Sequence, residues 1–137
     1  MSERDPSGLD PQSPGAKLDN GKVMAGQILG QFPRALTAIA EVGTFGAVKY
    51  TLGGWMHVTN GINRYEDAGF RHWLKRMTGE LVDMDSKSLH LAQEAWNKLA
   101  VLELTLQKME QEQGTAKVHT QRHEHPVPPE NIKTYSA

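Results

Sequence analysis

The sequence contains no cysteine, which excludes disulfide bonds and any zinc or iron–sulfur site that needs thiolate ligands. It contains no run of apolar residues long enough to cross a bilayer, so we expect no membrane partner. Residues 1–15 lack the apolar centre of a signal peptide, and we therefore expect a cytoplasmic location. The sequence motifs of P-loop, Rossmann, hydrolase-elbow and zincin proteins are also absent.

Neither sign of charge is in excess, since 15 Lys and Arg residues face 16 Asp and Glu residues for a net charge of -1. A general nucleic-acid binder carries a basic excess, so we expect no nucleic-acid partner. Hydrophobic residues make up 38% of the chain and charged residues 23%, which is near the average for globular proteins. The composition therefore predicts a folded domain with a packed core.

Two segments with few large apolar residues flank the central part of the chain. Residues 1–20 are rich in Pro, Gly, Ser and Asp, and we predict a flexible N-terminal arm. Residues 113–137 are rich in His and Pro, which predicts a flexible tail that is either simply solvated or able to bind metal. The folded domain is predicted over residues 21–112, a size at which oligomerisation often supplies additional burial.

Apolar residues recur at helical spacing in three segments, and we predict helices over residues 33–50, 64–78 and 87–111. Pro33 suits the first position of the first helix, and two glycines inside that helix suggest that another backbone or a ligand approaches it closely. We expect Asn63 and Glu66 to form a capping box, and Asp85 or Ser86 to cap the third helix. The sequence shows no strand-like alternation, so the predicted class is an all-α helical bundle.

The third helix carries a polar line of His90, Glu94 and Asn97, which lie on one face at spacings of four and three residues. The side-chain oxygens of Glu94 and Asn97 are of the kind that Mg²⁺ prefers. A solvated helix face with a His–Glu contact explains the same spacing. The pattern alone leaves both interpretations open.

The linker before this helix concentrates three acids, Glu80, Asp83 and Asp85, within six residues. Such a cluster beside a helix start either binds a metal ion or supplies caps that favour the helix dipole. After the exclusions above, acidic helices combined with basic residues are the ingredients of divalent-metal phosphate chemistry.

The first two helices add groups with similar alternatives. Glu41 is a further candidate metal ligand, whereas Lys49 and Arg71 are candidate phosphate-binding cations, although surface ion pairs account for them equally well. His72 is either a ligand or a structural hydrogen-bond donor. Trp55, in a glycine-rich loop, is either a lid over the core or a platform on which a base stacks.

Four blocks of sequence then occur in a distinctive order and spacing. They are DNGK at 19–22, EVGTFGAVKY at 41–50 with Trp55 soon after, RHWLKRMTGELVDMDS at 71–86 and HLAQEAWNKLAVLEL at 90–104. Together they resemble the phage dATP/dGTP diphosphohydrolase family, which belongs to the MazG-like all-α nucleoside triphosphate pyrophosphohydrolases. The resemblance covers about residues 17–106.

The resemblance implies a MazG-like helical bundle that associates into a dimer or tetramer, with sites at or near the protomer interface. It implies hydrolysis of a purine deoxynucleoside triphosphate to the monophosphate and pyrophosphate, with dGTP as the first candidate substrate and dATP as the alternative. The implied cofactor is Mg²⁺ or Mn²⁺, with two or more ions per site. In phages that replace adenine by 2-aminoadenine, the dGMP product feeds synthesis of the modified nucleotide in the host cytosol.

The resemblance also implies site residues. The implied metal ligands are Glu41, Glu80, Asp83, Glu94 and Asn97. The implied catalytic residues are His72, Glu80 and Asp83. The implied substrate-binding residues are Lys49, Tyr50, Trp55, Arg71 and Asn97, with Trp96 as the alternative to Trp55 for stacking on the purine. The chain departs from the MazG-like pattern, because Asn97 replaces an Asp, and Arg71 and His72 stand where paired acids are expected.

A second hypothesis is a small helical binding or scaffold protein without catalysis, since every polar cluster above also has a purely structural explanation. The two hypotheses differ in a simple measurement. A substrate and metal that bind the folded state raise the melting temperature, whereas a scaffold should not respond to dGTP with Mg²⁺ or Mn²⁺.

Overall fold

The computed structural model describes residues 3–114. Its four α-helices are α1 (Ala25–Leu29), α2 (Pro33–Lys49), α3 (Gly61–Met77) and α4 (His90–Glu112), and one 3₁₀ turn spans Gly54–His57. Within this part of the chain there is no β-strand, only an isolated antiparallel bridge between Val82 and Leu89. The all-α prediction is therefore confirmed. None of the described helices combines the length and apolar character needed to span a membrane.

Helix α2 matches its prediction closely, because Pro33 occupies the first turn and the helix ends one residue before Tyr50. The close approach that its glycines suggested occurs at Gly43, where an added Cβ would lie 3.0 Å from Nε1 of Trp96 on α4. At Gly46 an added Cβ would meet nothing within 4 Å. Gly43 therefore lets α2 and the Trp96 side chain lie close together.

Helix α3 begins at Gly61, three residues before the predicted start, and the predicted capping box is wrong. Asn60 precedes the helix in the left-handed conformation that Asn tolerates, with φ 56°. The side-chain amide of Asn63 donates a hydrogen bond to the side-chain oxygen of Asn60 at 2.9 Å. Glu66 instead accepts a hydrogen bond from Lys98 on α4 at 2.7 Å, so a contact between helices replaces the expected local one.

Helix α4 begins at His90, later than predicted, and neither Asp85 nor Ser86 caps it. The carboxylate of Asp83 accepts hydrogen bonds from the Ser86 amide at 2.9 Å and from the Ser86 hydroxyl at 2.7 Å. These bonds close a turn in the linker. The His90 amide then donates to the carbonyl of Leu81 at 2.9 Å, which ties the start of α4 to the chain that follows α3.

Helices α3 and α4 form the most extensive pair, and α2 packs mainly against α4. The buried residues of these three helices are Val42, Gly61, Gly69, His90, Ala92, Asn97 and Ala100. A Cβ added at Gly69 of α3 would lie 3.2 Å from the Cβ of Asn97. Many large apolar side chains on the outer helix faces are instead exposed. A close α3–α4 approach thus fixes the core, while much apolar surface stays uncovered in the single chain.

Residues 3–20 form a series of turns around Asp5, whose carboxylate accepts hydrogen bonds from the amides of Ser7 at 2.8 Å and Lys17 at 2.7 Å. The predicted arm over residues 1–20 therefore contains local hydrogen-bonded structure, and its flexibility stays a prediction. The domain bounds at 21 and 112 also stay predictions. Apart from residues 113 and 114, the predicted C-terminal tail lies outside the described residues.

Candidate functional site

A cavity of about 1290 Å³ opens between α2, the loop that follows it, α3 and the start of α4. Its charged and titratable lining residues are Lys49, Arg64, Asp67, Arg71, His72, Asp83 and Asp85. Its ring-bearing lining residues other than His72 are Phe45, Tyr50, Trp55, Tyr65 and Trp96. One open space therefore combines acids, cations and aromatic surface, which are the groups needed to hold a charged, ring-containing molecule.

Two histidines meet beside this cavity. Nδ1 of His72 on α3 lies 2.8 Å from Nδ1 of His90 at the start of α4. The His90 side chain is fully buried, and its other nitrogen, Nε2, lies 3.0 Å from a carboxylate oxygen of Glu80. Because an ionised carboxylate only accepts hydrogen bonds, Nε2 of His90 carries a proton. In this tautomer Nδ1 of His90 accepts a hydrogen bond from Nδ1–H of His72.

Asp83 completes this cluster from the linker between α3 and α4. One ligand atom from each of His72, Asp83 and His90 lies within 4.8 Å of the others, so the three residues form a possible metal-binding triad. Burial acts to raise the pKa of Asp83, but the Ser86 hydrogen bonds and the nearby imidazoles outweigh it and leave the pKa below its ordinary value. The carboxyl group is thus ionised, as metal binding requires.

His72 is held in its neutral form. Burial lowers the pKa of its imidazole, and the nearby His90, Lys75 and Arg71 lower it further, whereas Asp83 acts in the opposite direction. Neutral imidazole is the form that ligates metal ions. The electrostatic surroundings therefore favour a ligand role over a positive charge at this position.

The cations predicted to bind phosphate lie on the same cavity. Nζ of Lys49 forms a 3.1 Å ion pair with Asp85, whose hydrogen bond raises the pKa of Lys49, and it lies 5.6 Å from the centre of the Tyr50 ring. Arg71 lines the cavity one residue before His72. Lys49 and Arg71 thus line the same cavity as His72 and Asp83.

Trp55 belongs to an aromatic cluster at the cavity wall. Its ring packs edge to face with Tyr65 at 6.2 Å and with Trp96 at 5.8 Å, and these two rings lie 5.6 Å apart. The Tyr65 hydroxyl donates a hydrogen bond to the backbone carbonyl of Trp55 at 2.9 Å. The loop that carries Trp55 is therefore fixed against α3 and α4, with the tryptophan bordering the cavity.

A family model described as dATP/dGTP diphosphohydrolase, N-terminal, matches residues 12–114. The chain belongs to this family. No curated protein and no solved structure gives a significant match. Membership of the dATP/dGTP diphosphohydrolase family confirms the family resemblance and supports nucleotide hydrolysis as the general class of activity. The matched residues include all four helices, the cavity and the triad.

Most site residues predicted for this dATP/dGTP diphosphohydrolase family member lie together. The predicted residues that line the cavity are Lys49, Tyr50, Trp55, Arg71, His72, Asp83 and Asn97. Asn97 is buried, and its amide donates to the Gln93 carbonyl at 2.8 Å. Glu80 reaches the triad through His90 rather than through the cavity.

Two predicted ligands lie apart from the triad. Glu94 accepts two hydrogen bonds from Arg76, at 2.7 and 3.0 Å, and its side chain is 16% exposed. Glu41 borders a separate cavity of about 320 Å³ beside Ser88 and Leu89. Neither borders the larger cavity among the described residues, so their metal-ligand roles stay predictions that this arrangement does not favour.

Sequence reasoning missed His90 as a partner of His72. It placed His90 on a helix face with Glu94, although the available signal was a histidine directly after an acidic linker. It also missed Tyr65 and Ser86, which position Trp55 and Asp83. These contacts join separate elements, and helical periodicity carries no information about them.

Proposed function

We propose that the chain hydrolyses a purine deoxynucleoside triphosphate, dGTP or dATP, to the monophosphate and pyrophosphate with a divalent cation, Mg²⁺ or Mn²⁺. The observation that carries this proposal is that His72 and Asp83 of the triad line one cavity together with the cations Lys49 and Arg71 and an aromatic cluster. Membership of the dATP/dGTP diphosphohydrolase family supports the choice of substrate.

The donor set fits a divalent metal ion. Imidazole nitrogens from His72 and His90 and an ionised carboxylate from Asp83 converge from three separate parts of the chain. A divalent ion bound there would lower the pKa of a water molecule toward neutrality and offset phosphate charge. This assignment makes His72 a ligand rather than the predicted proton acceptor. The triad accounts for one ion, and the further ions of the predicted site stay a prediction.

The triphosphate would bind across the charged side of the cavity. Lys49 is a compact charge on a flexible stem, and Arg71 offers a planar fork of donors that suits phosphate oxygens. To bind a phosphate, Lys49 would leave its ion pair with Asp85. Breaking this pair costs little free energy, because both side chains are exposed and exposed ion pairs contribute little stability. Both cations would stabilise the charge that develops on departing pyrophosphate.

The base would lie on the aromatic side of the cavity. Trp55 offers a surface on which a purine ring can stack, and the Tyr65 hydrogen bond holds the loop in place before the substrate arrives. Water then attacks the α-phosphorus and the bond to the bridging oxygen breaks. The products are the deoxynucleoside monophosphate, pyrophosphate and a proton, which leaves to the solvent in the open cavity.

The experiment that tests this function is product analysis. The purified chain is incubated with each deoxynucleoside triphosphate and with Mg²⁺ or Mn²⁺, and the products are separated. We expect monophosphate and pyrophosphate from dGTP or dATP. Diphosphate with inorganic phosphate would contradict the proposed position of cleavage. Survival of all four substrates with both metals would favour the non-catalytic binding protein.

We also propose that the chain associates with itself as a dimer or tetramer. On α4, Leu99, Leu102, Leu106 and Met109 are 39–55% exposed and follow the three- and four-residue spacing of a helix-pairing stripe. On α3, Phe70, Trp73, Leu74 and Met77 are 39–58% exposed. Such extended apolar faces are typical of protein interfaces. A second copy would cover them.

The cellular setting follows from the proposed reaction and the family resemblance. With dGTP as substrate the product is dGMP, which the resemblance connects to 2-aminoadenine nucleotide synthesis in a phage-infected cell. We propose the cytosol as the location, because deoxynucleoside triphosphates are present there. Product analysis in extracts of cells that express the chain, with and without added dGTP, tests the connection.

A further inference from the structure

We propose that His72, Asp83 and His90 form a centre for a first-row transition metal such as Mn²⁺ or Co²⁺, which it binds in preference to Mg²⁺. We further propose that Glu80 is the residue that positions His90 for this role. The inference deepens the proposed function and rests on it for its catalytic meaning. Metal binding can nevertheless be measured without any nucleotide, so the two proposals can fail separately.

The separation of the two imidazole nitrogens is the first argument. Nδ1 of His72 and Nδ1 of His90 lie 2.8 Å apart, the distance of an N–H···N hydrogen bond in which His72 donates to His90. A metal ion that took the place of this proton would have both nitrogens as ligands. Two nitrogens that ligate the same ion at about 2.0–2.1 Å lie roughly 2.9–3.4 Å apart for ligand angles of about 90–110°. The observed pair is therefore close to the separation that a shared ion needs.

The role of Glu80 is the second argument. Its carboxylate meets Nε2 of His90, the nitrogen on the far side of the ring from His72, at 3.0 Å. Metal-ligating histidines usually donate their other N–H to a carboxylate, which fixes the tautomer and ring orientation. The ring of His90 is fully buried. Glu80 therefore leaves the lone pair of His90 on Nδ1, directed at the cluster.

The placement of Asp83 is the third argument. The amide and hydroxyl of Ser86 both donate to Oδ2 of Asp83, at 2.9 and 2.7 Å, and Oδ1 takes part in neither bond. A carboxylate oriented in this way by its neighbours can offer Oδ1 to a cation. Ser86 is in turn held by the side-chain amide of Gln93 on α4, at 2.9 Å. The oxygen ligand is thus positioned before any ion binds.

The identity of the donors decides the class of metal. Mg²⁺ prefers oxygen ligands and retains several of its waters, whereas imidazole suits the later transition ions. Two nitrogen donors and one carboxylate therefore favour transition ions over Mg²⁺, which takes oxygen ligands, and the general order of affinities places Co²⁺ above Mn²⁺. A site built from Glu41, Glu80, Asp83 and Glu94 would instead have carried only oxygens and favoured Mg²⁺.

The test uses the metal-free full-length chain and titrates MnCl₂, CoCl₂ and MgCl₂ without nucleotide. Binding is followed by calorimetry, by melting temperature and, for Co²⁺, by visible absorption. We expect about one Mn²⁺ per chain at the centre and at least a tenfold tighter Kd than for Mg²⁺. Equal affinity for Mg²⁺ and Mn²⁺ would overturn the inference.

Histidines outside the described residues require their own control. The variant His119→Ala/His123→Ala/His125→Ala removes these imidazoles from the full-length chain without touching the triad. Retained Mn²⁺ and Co²⁺ binding in this variant supports the centre. Loss of all binding there, with binding intact in His72→Gln, would assign the metal to the tail histidines and overturn the inference.

Variants then separate ligand, positioning and purely structural roles. His72→Gln should weaken Mn²⁺ binding about 100-fold or more, and Glu80→Gln about 10- to 100-fold with a changed Co²⁺ spectrum. Asp10→Asn, at an exposed carboxylate that accepts a hydrogen bond from the nearby Gln12 amide, should change neither. Circular dichroism checks that each variant is folded. An unchanged Co²⁺ spectrum in folded Glu80→Gln would overturn the positioning role.

The outcomes for the centre and for the enzyme are distinct. Selective Mn²⁺ binding without nucleotide hydrolysis supports the centre and contradicts the proposed function. If hydrolysis proceeds equally with Mg²⁺ and with Mn²⁺, and the chain binds the two ions with equal affinity, the proposed function is supported and the transition-metal centre is overturned.

Discussion

The two halves of α4 bury different kinds of side chain. In the first half His90 is fully buried and Asn97 is 5% exposed, and both have hydrogen-bond partners. In the second half Leu102 is 55% exposed and Leu106 is 39% exposed. Burying polar groups costs free energy unless they are paired, whereas exposing leucines forgoes stabilisation. The first half of α4 therefore keeps its buried polar groups paired, whereas the second half leaves apolar surface uncovered.

The difference between the two halves of α4 indicates different functions. Buried, hydrogen-bonded titratable groups beside a cavity are typical of functional sites. Exposed apolar stripes are typical of interfaces. We infer that the first half of α4 serves the site and the second half serves association, so substitutions in the two halves should have separable effects.

The largest effect is expected at the site. Asp83→Asn keeps an acceptor for Ser86 but removes the charge of the oxygen ligand, so turnover of dGTP with Mn²⁺ should fall at least about 100-fold. Steady-state kinetics measures it, and Asp10→Asn serves as the matched control. Turnover within about twofold of the unsubstituted chain would show that Asp83 is not a ligand.

Association should respond to the second half of α4. Leu102→Glu/Leu106→Glu places charges within the proposed interface and should convert the oligomer to the monomer, because buried unpaired charges are strongly unfavourable. Light scattering after size exclusion gives the mass. The control Val23→Glu, at a residue that is 72% exposed, should leave the mass unchanged. A monomeric unsubstituted chain would end the proposal of self-association.

The Arg76–Glu94 pair joins α3 to the first half of α4 and tests the ligand assignment. Arg76→Met leaves the poorly exposed Glu94 carboxylate without its partner and should lower the free energy of unfolding by about 1–3 kcal/mol. Chemical denaturation measures this loss. Glu94→Gln should change the Mn²⁺ affinity less than twofold. A large loss of affinity there would restore Glu94 as the metal ligand that the sequence predicted.

The smallest effect is expected at Trp55. Trp55→Ala removes a stacking surface and should raise the KM for dGTP about tenfold, since base–aromatic stacking contributes about 1–3 kcal/mol. Trp55→Phe should restore much of the affinity. Thermal unfolding separates this effect from lost packing against Tyr65 and Trp96. Equal KM values in all three proteins would remove Trp55 from the base site.

The sequence predicted the helices better than their ends. Apolar spacing located α2, α3 and α4, because a buried helix face repeats every three to four residues whatever lies opposite. It misplaced the starts of α3 and α4, where Asn60 adopts a left-handed conformation and Asp83 bonds Ser86. The short helix α1 was missed, because five residues are too few to show a period.

The candidate site was predicted in its parts but not in its connections. His72, Asp83, Lys49, Arg71 and Trp55 were singled out by residue type and by family resemblance, and they line one cavity. Glu94 was singled out in the same way, but it pairs with Arg76 on α3. Residue type indicates what a side chain can do, whereas its partner depends on how neighbouring helices are rotated.

The sequence by itself therefore determined the all-α class, the main helices and the family, because these rest on local periodicity and on motifs in order. Only the tertiary structure decided that His72 and His90, eighteen residues apart, meet at 2.8 Å and that Glu80 fixes the second ring. The physical reason is that this meeting depends on the close packing of α3 on α4 at Gly69 and Asn97. No pattern within a single helix encodes such a contact.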